Sequence, residues 1–429
     1  MTKVGERMYE ILTAHLENGL KVILHKVPAC RTVACGVWVR QGSKHETDES
    51  SGLSHLIEHL KINTANTFNP VYQSVMADLS SEGIVYNAKT TKEATSYYMS
   101  GLKGTLERSL LALSEMVINN NEFSEELFEN EKKVVFQEGT SYYSSFNQIK
   151  ERTSQALWGN IGIGRVIAGN ISTIKMATQK RVKEMMDSAY TPANSTVIVV
   201  GGIDYEETME LLIKYFEGWK DKKTELYKEQ VESEPSVYFN KSKSGVNSVV
   251  SLGFRTVSSN SENRLGYEII SRIMGDSGLE SRIVKEIRMD RGLAYNVGSF
   301  ARFYEKRGTI GFTAVCQNEK VSDVVSILME EFRKIQTEGI TDEELRKAKN
   351  MLETKRILEL DSAYGQLAFL GKHSSTRRIY SLEDEMRNIR NVDHDYVKTC
   401  IDECFKSSNM GVAAIGNINI DNVISLMEF

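Results

Sequence analysis

The chain has little cysteine, little histidine, no excess of basic charge and no long apolar run, and each shortage narrows what it can be. Five cysteines in 429 residues, Cys30, Cys35, Cys316, Cys400 and Cys404, are odd in number and scattered, which excludes the paired framework of a disulfide-stapled secreted protein. Cys400 and Cys404 would share a helical face, yet no Cys or His pair lies nearby in sequence to complete a site, so they read as packing residues. No stretch approaches the roughly 20 consecutive apolar residues of a membrane-spanning helix. A net charge of −5 leaves no footprint for nucleic acid. Neither a nucleic-acid partner nor a membrane is expected. Met1 to Arg7 reads as neither a signal peptide nor a basic transit sequence, so a cytoplasmic protein is expected; a processed precursor would read the same way. What is present, 41% hydrophobic residues over this length, suffices for two or more domains with ample core.

Of only seven histidines, two fall in the pentapeptide His55-Leu56-Ile57-Glu58-His59. Chance would supply an H-x-x-E-H in such a chain on the order of 0.01 times. Asp48, Ser50 and Ser51 offer caps ahead of an apolar run, so a helix start is expected here. At about 100° per residue, His55, Glu58 and His59 project from one face while Leu53, Leu56, Ile57 and Leu60 form the opposite, apolar stripe. Two His at i and i+4 can bind one Zn²⁺ through neutral imidazoles, and the intervening Glu is placed to take a proton from water.

A second helix is expected over 124–139, with Leu127, Phe128, Val134 and Val135 on its apolar side. Glu131 and Glu138 fall on that same side. Carboxylates directed into a packed interface are costly unless paired or bound to a metal, so one or both should have a cationic partner, either a buried Lys or Arg or a metal ion.

The chain also repeats itself. Tyr190-Thr-Pro-Ala-Asn194, an apolar run and Gly201-Gly202-Ile203-Asp204 recur as Phe405-Lys-Ser-Ser-Asn409, an apolar run and Gly416-Asn417-Ile418-Asn419, 215 positions later. Phe123-Ser124-Glu125-Glu126-Leu127 likewise resembles Ile340-Thr341-Asp342-Glu343-Glu344-Leu345 at an offset of 217 or 218. Two copies of one domain account for this. Each should open with strands, such as 20–26 and 32–40, run through amphipathic helices and close with a strand. The fold class expected is α+β, two homologous domains each with a mostly antiparallel sheet backed by helices. The charged stretch 221–236 is the expected join, dividing 1–220 from 237–429. The copies differ in chemistry: positions matching Glu131 and Glu138 hold Ala348 or Lys349, and Lys355 or Arg356. Metal binding is therefore expected in the first half alone.

With these features the chain resembles the pitrilysin and insulysin family of zinc peptidases, in its short two-lobed branch. There H-x-x-E-H is followed some 75 to 80 residues on by an E-x₆-E pair, and Glu138 lies 79 positions beyond His59. Asn87-Ala88 with Thr90, Glu93 and Tyr97-Tyr98, and Leu157-Trp158-Gly159 followed by Gly164-Arg165, match as well. The resemblance implies that His55, His59 and Glu138 bind zinc, that Glu58 is the general base and that Glu131 supports the site. It implies that Arg291 and Tyr295, in Arg291-Gly292-Leu293-Ala294-Tyr295, are directed at substrate, and that Asn87 and Ala88 lie on a strand edge that pairs with peptide backbone. The expected function is zinc-dependent endopeptidase action on flexible or unfolded peptides, within a clamshell of two halves around a chamber. As alternatives, the chain is a subunit of a heteromeric processing peptidase or a non-catalytic structural paralogue. A homodimer, or a heterodimer with a similar subunit, is the expected assembly. The ligand set would accept Mn²⁺ or Co²⁺ as well as Zn²⁺.

Overall fold

The computed structural model describes residues 11–119, 122–220, 233–242, 245–374 and 381–428. Of the charged stretch expected to join the halves, 221–232 lie outside the described residues. Two sheets organise the chain. The first contains β1 (Ile11–His15), β2 (Lys21–Lys26), β3 (Thr32–Val39), β4 (Val85–Thr90), β5 (Thr95–Leu102) and β6 (Ser195–Gly201), in the order β1-β2-β6-β3-β5-β4. Only β2 and β6 pair in parallel. The second contains β7 (Val237–Lys241), β8 (Asn247–Thr256), β9 (Ala294–Phe303), β10 (Gly308–Gln317) and β11 (Met410–Gly416), in the order β7-β11-β8-β10-β9, parallel only between β7 and β11. Removing β1 makes the two orders identical, β2-β6-β3-β5-β4 against β7-β11-β8-β10-β9. The internal repeat is therefore a repeat of sheet topology, and the architecture is α+β with two domains.

Every residue of β6 and of β11 is buried, as are seven of the eight in β3. Such strands read as continuous apolar runs because both faces of the sheet are covered. Alternate residues separate the two faces. In the first sheet, Val197 and Val199 of β6 and Val33, Cys35 and Val37 of β3 pack in a core with Leu53, Leu56 and Leu60 of α1 (Leu53–Phe68), Leu79 of α2 (Pro70–Ser81) and Leu110 and Leu113 of α3 (Leu106–Val117). The intervening Ile198, Val200, Ala34 and Trp38 pack instead with Ala363, Leu367 and Leu370 of the helix Ala363–His373. That helix comes from the second half of the sequence. A Cβ on its Gly371 would stand 2.1 Å from the Trp38 ring, so glycine is what lets the helix backbone lie against the indole.

The second sheet mirrors this. Phe254, Phe312, Phe332 and Phe405 form its main core, while Val249, Ala413 and Ile415 face Ile149 of α5 (Ile149–Trp158), which follows α4 (Glu125–Ser144) in the first half of the chain. The compact units accordingly depart from the contiguous division at 220 and 237. One comprises the described residues of Met1–Thr140, Ile167–Lys228 and Leu358–Ser381; the other those of Ser141–Val166, Glu229–Ile357 and Leu382–Phe429. Periodicity identifies which segments repeat, but a helix docks on whichever apolar sheet face is open to it, and each half supplies a helix to the other half's sheet. No described helix is long and apolar enough to cross a membrane.

Candidate metal centre

The helix bearing the pentapeptide starts where expected but is capped differently. Gly52, at φ +93°, turns the chain into α1. The carboxylate of Glu46, only 1% exposed, accepts hydrogen bonds from the Gly52 and Ser54 amides, both at 2.8 Å. Asp48, Ser50 and Ser51 do not make these bonds; the Ser50 hydroxyl instead accepts from the Thr47 amide at 2.8 Å. A buried anion at a helix N-terminus satisfies orphan N–H groups and complements the positive end of the dipole. Leu53, Leu56, Ile57 and Leu60 are fully buried, so the opposite face carries His55, Glu58 and His59.

Helix α4 supplies the acids. Phe128 and Val135 are buried with Glu131, whereas Val134, expected on the apolar side, is 41% exposed. Glu131 Oε2 lies 3.2 Å from His59 Nδ1, so its partner is an imidazole rather than a Lys or Arg. One helical turn pair further on, Glu138 Oε2 lies 3.6 Å from Nε2 of His55 and 3.6 Å from Nε2 of His59. The imidazole rings stand nearly perpendicular, at 85°, with centroids 4.8 Å apart. One donor atom from each of His55, His59 and Glu138 falls within 4.8 Å of the others, the one such cluster of His, Cys, Asp and Glu among the described residues.

The electrostatics fit a cation. Burial, aided by the neighbouring His59, holds the His55 pKa down to about 4, so this imidazole is neutral with a lone pair to offer. Burial would lower His59 too, but the hydrogen bond to Glu131 and the charges of Glu138 and Glu58 outweigh it and raise the pKa. A ring surrounded by three carboxylates favours positive charge, which a divalent ion supplies as well as a proton does. His55 Nδ1 is buried without a hydrogen-bond partner among the described residues. Two imidazole nitrogens and one carboxylate oxygen are an ordinary zinc donor set that leaves a fourth position for water.

Glu58 is 9% exposed and burial raises its pKa; the hydrogen bond from Thr90 and the charge of His59 act in the opposite direction. Asn87 and Ala88 lie on β4, which among the described residues pairs with β5 alone and stands last in its sheet. Asn87 is exposed, and its Oδ1 accepts from the Ala88 amide at 2.8 Å. In the other unit Arg291 follows a π-helical turn, Lys285–Asp290, and its guanidinium lies 3.4 Å from Glu286. Tyr295 is 80% exposed at the start of edge strand β9, and the Arg288 guanidinium sits 4.2 Å from its ring centroid.

Where the second copy would place metal ligands it has ion pairs. Arg356, which matches Glu138 at the 218-residue offset, lies 3.0 Å from Glu268 and 3.1 Å from Glu385. Arg264, one turn before Glu268 on the helix Arg264–Ser271, pairs with Glu268 and donates from one guanidinium nitrogen, Nη2, to both oxygens of Glu385 at 2.8 and 2.9 Å. Charges of both signs already satisfy one another there.

Reading the sequence missed Glu46, Arg288 and the buried Lys61, whose amine donates to the Val117 carbonyl at 2.7 Å and lies 5.0 Å over the Tyr190 ring. Thr90 was visible only as part of a family match. Its alternation with Ala88 in a short strand was the available signal, since both are the inward residues of β4.

Fold and site together define a two-domain α+β architecture with a His-His-Glu donor cluster in one domain. Family models agree: residues 21–170 match "Insulinase (Peptidase family M16)" and 177–352 match "Peptidase M16 inactive domain". The chain belongs to peptidase family M16. It is 28% identical over 382 residues to the "Uncharacterized zinc protease YmxG" of Bacillus subtilis, covering 87% of this chain and 90% of that one. It is 24% identical over 401 residues to the mitochondrial-processing peptidase subunit beta of Dictyostelium discoideum, covering 86% and 82%. Among solved structures, a protease from Helicobacter pylori shares the fold with a TM-score of 0.86 at 20% identity, over 95% of this chain and 99% of that one. A chain of complex III2 from Candida albicans does so with a TM-score of 0.84 at 13% identity, over 98% and 100%.

Proposed function

We propose that this protein is a zinc-dependent endopeptidase acting on flexible peptides or precursor segments, with His55, His59 and Glu138 holding the metal and Glu58 as general base. The observation that carries the reading is the convergence of those three donors beside a buried carboxylate on the same helix face. A zinc ion held by these three residues would supply a Lewis acid, able to polarise a carbonyl and to bring the pKa of water towards neutrality. Glu58 takes a proton from the attacking water and returns it to the leaving amine. Glu131, through His59 Nδ1, fixes that ring so that Nε2 faces Glu138. The edge strand at Asn87 and Ala88 binds substrate backbone with little regard to side chains. Arg291 and Tyr295 act as donors to the substrate, a role suited to a guanidinium and a phenol that are both exposed.

The deciding experiment is Glu58→Gln with zinc content measured beside cleavage of a peptide library. We expect zinc to be retained and turnover to fall by about 10²-fold or more. Full zinc with undiminished turnover would overturn the role of Glu58. A second reading is favoured by the relative named as a subunit of mitochondrial-processing peptidase: the chain works in the cytoplasm as half of a heteromeric peptidase rather than as a homodimer. Activity of the purified chain alone, with its mass in solution, separates the two.

A further inference from the structure

We infer that Thr90 is a positioning residue for Glu58, holding the carboxylate of the base towards the water it deprotonates. The Thr90 hydroxyl donates to Glu58 Oε2 at 2.5 Å, and both residues are buried. A hydroxyl has one proton to give, and its neighbours settle where that proton goes. Thr95 Oγ1, 3.4 Å from Thr90 Oγ1, spends its own proton on the Gln41 carbonyl at 2.8 Å. Thr95 Oγ1 could then only accept from Thr90, and at 3.4 Å it is much the farther of the two acceptors, so the Thr90 proton goes to Glu58. The donor is rigidly mounted: Thr90 faces Thr95 across the β4–β5 ladder, and the turn joining them is closed by the Thr91 amide on the Ala94 carbonyl at 2.8 Å and the Ala94 amide on Thr91 Oγ1 at 3.1 Å.

Occupying Oε2 restrains the carboxylate from exchanging its two oxygens, and the Thr90 backbone amide bonds the same carboxylate. Strand β4 thus has two faces with two duties: Asn87 and Lys89 point outward along the sheet edge, while Ala88 and Thr90 are buried. Pairing of a peptide with this edge would brace the strand that orients the base.

The catalytic consequence rests on the peptidase reading, so the test needs a readout that does not. Thr90→Val keeps the shape of the side chain and removes its hydroxyl; Thr90→Ser keeps the hydroxyl. With zinc-loaded protein and a fluorogenic peptide, Thr90→Val should lower kcat by about 10- to 100-fold, the worth of a hydrogen bond to a charged group, with KM unchanged within about 2-fold. Zinc content should stay at the native value, the variant should remain folded at the assay temperature although its melting temperature falls as a buried carboxylate loses a partner, and Thr90→Ser should recover kcat to within about 3-fold of native. A native kcat in Thr90→Val, or no recovery in Thr90→Ser, overturns the inference. Difference infrared spectra supply the second readout. Thr90→Val minus native should show a shifted carboxylate stretch that vanishes when both proteins also carry Glu58→Gln; an unshifted band overturns the inference. If native, zinc-loaded protein cleaves no peptide, the peptidase reading falls, and the infrared comparison alone decides the role of Thr90.

Discussion

Glu131 and Glu138 are chemically identical, share one helix and lie two turns apart, yet their side chains are 10% and 50% exposed. The buried one meets Nδ1 of a single imidazole, and the exposed one stands between two Nε2 atoms. Removing each should therefore have a different effect. Glu138→Gln should abolish stoichiometric zinc in the purified protein, whereas Glu131→Gln should weaken affinity by about 10- to 100-fold, as loss of an outer partner does; competition with a chromophoric chelator measures both. His45 gives the pH prediction. Burial, with Lys44 and Arg40 nearby, holds its pKa down to about 3, and its Nδ1 accepts from the Gly42 amide at 3.1 Å. The folded state keeps this ring neutral while the unfolded chain protonates it near pH 6.5. Its contribution is therefore complete above about pH 6.5 and is lost as pH falls towards about 3. Urea titrations across that window should show a shallower acid loss in His45→Gln, whose amide oxygen can still accept a hydrogen bond. An unchanged slope would show that His45 does not carry it.

At the scale of an element, α1 shows how much of a site lies in how its helix begins. The i, i+4 spacing that joins His55 to His59 and the apolar stripe behind them follow from helix geometry, and both were legible in the residues alone. The cap was not. Glu46 lies seven residues before the helix and reaches it only because the chain bends back at Gly52. Glu46→Ala leaves two buried amides without an acceptor and should cost about 2 kcal/mol in denaturant titration. A cost under about 0.5 kcal/mol would mean that water or Asp48 takes over the cap. Strand β4 teaches the same lesson. Its sequence, with Asn87 and Lys89 alternating with Ala88 and Thr90, is a pattern that marks a half-buried strand. That the buried Thr90 ends beside Glu58, 32 positions earlier, is not written in the alternation.

At the scale of the molecule, the exchanged helices separate repetition from packing. The repeat was legible because two equal sheets need equal strands at equal spacing. Which sheet the helix Ala363–His373 covers was not, because its apolar face would fit either. The structure places Leu367, fully buried, against Trp38 and Ile198 of the first sheet. Leu367→Ala should cost about 2–5 kcal/mol, and the loss should appear as faster amide exchange in β3 and β6, not in β8 and β11. Equal acceleration in both sheets would contradict that assignment.

The sequence by itself determined the helix face that presents His55, Glu58 and His59, the two-copy α+β organisation and the confinement of metal-type ligands to the first copy. Each is a matter of local spacing or of recurrence along the chain, and both survive without coordinates. Only the tertiary structure decided that Glu138 shares an atom-scale space with the two imidazoles, that Glu46 caps the helix, that Thr90 holds Glu58, and that each sheet is closed by the other half's helix. Those contacts join residues far apart in sequence. Their partners are selected by burial and hydrogen-bond satisfaction in three dimensions, for which the linear chain carries no periodic signal.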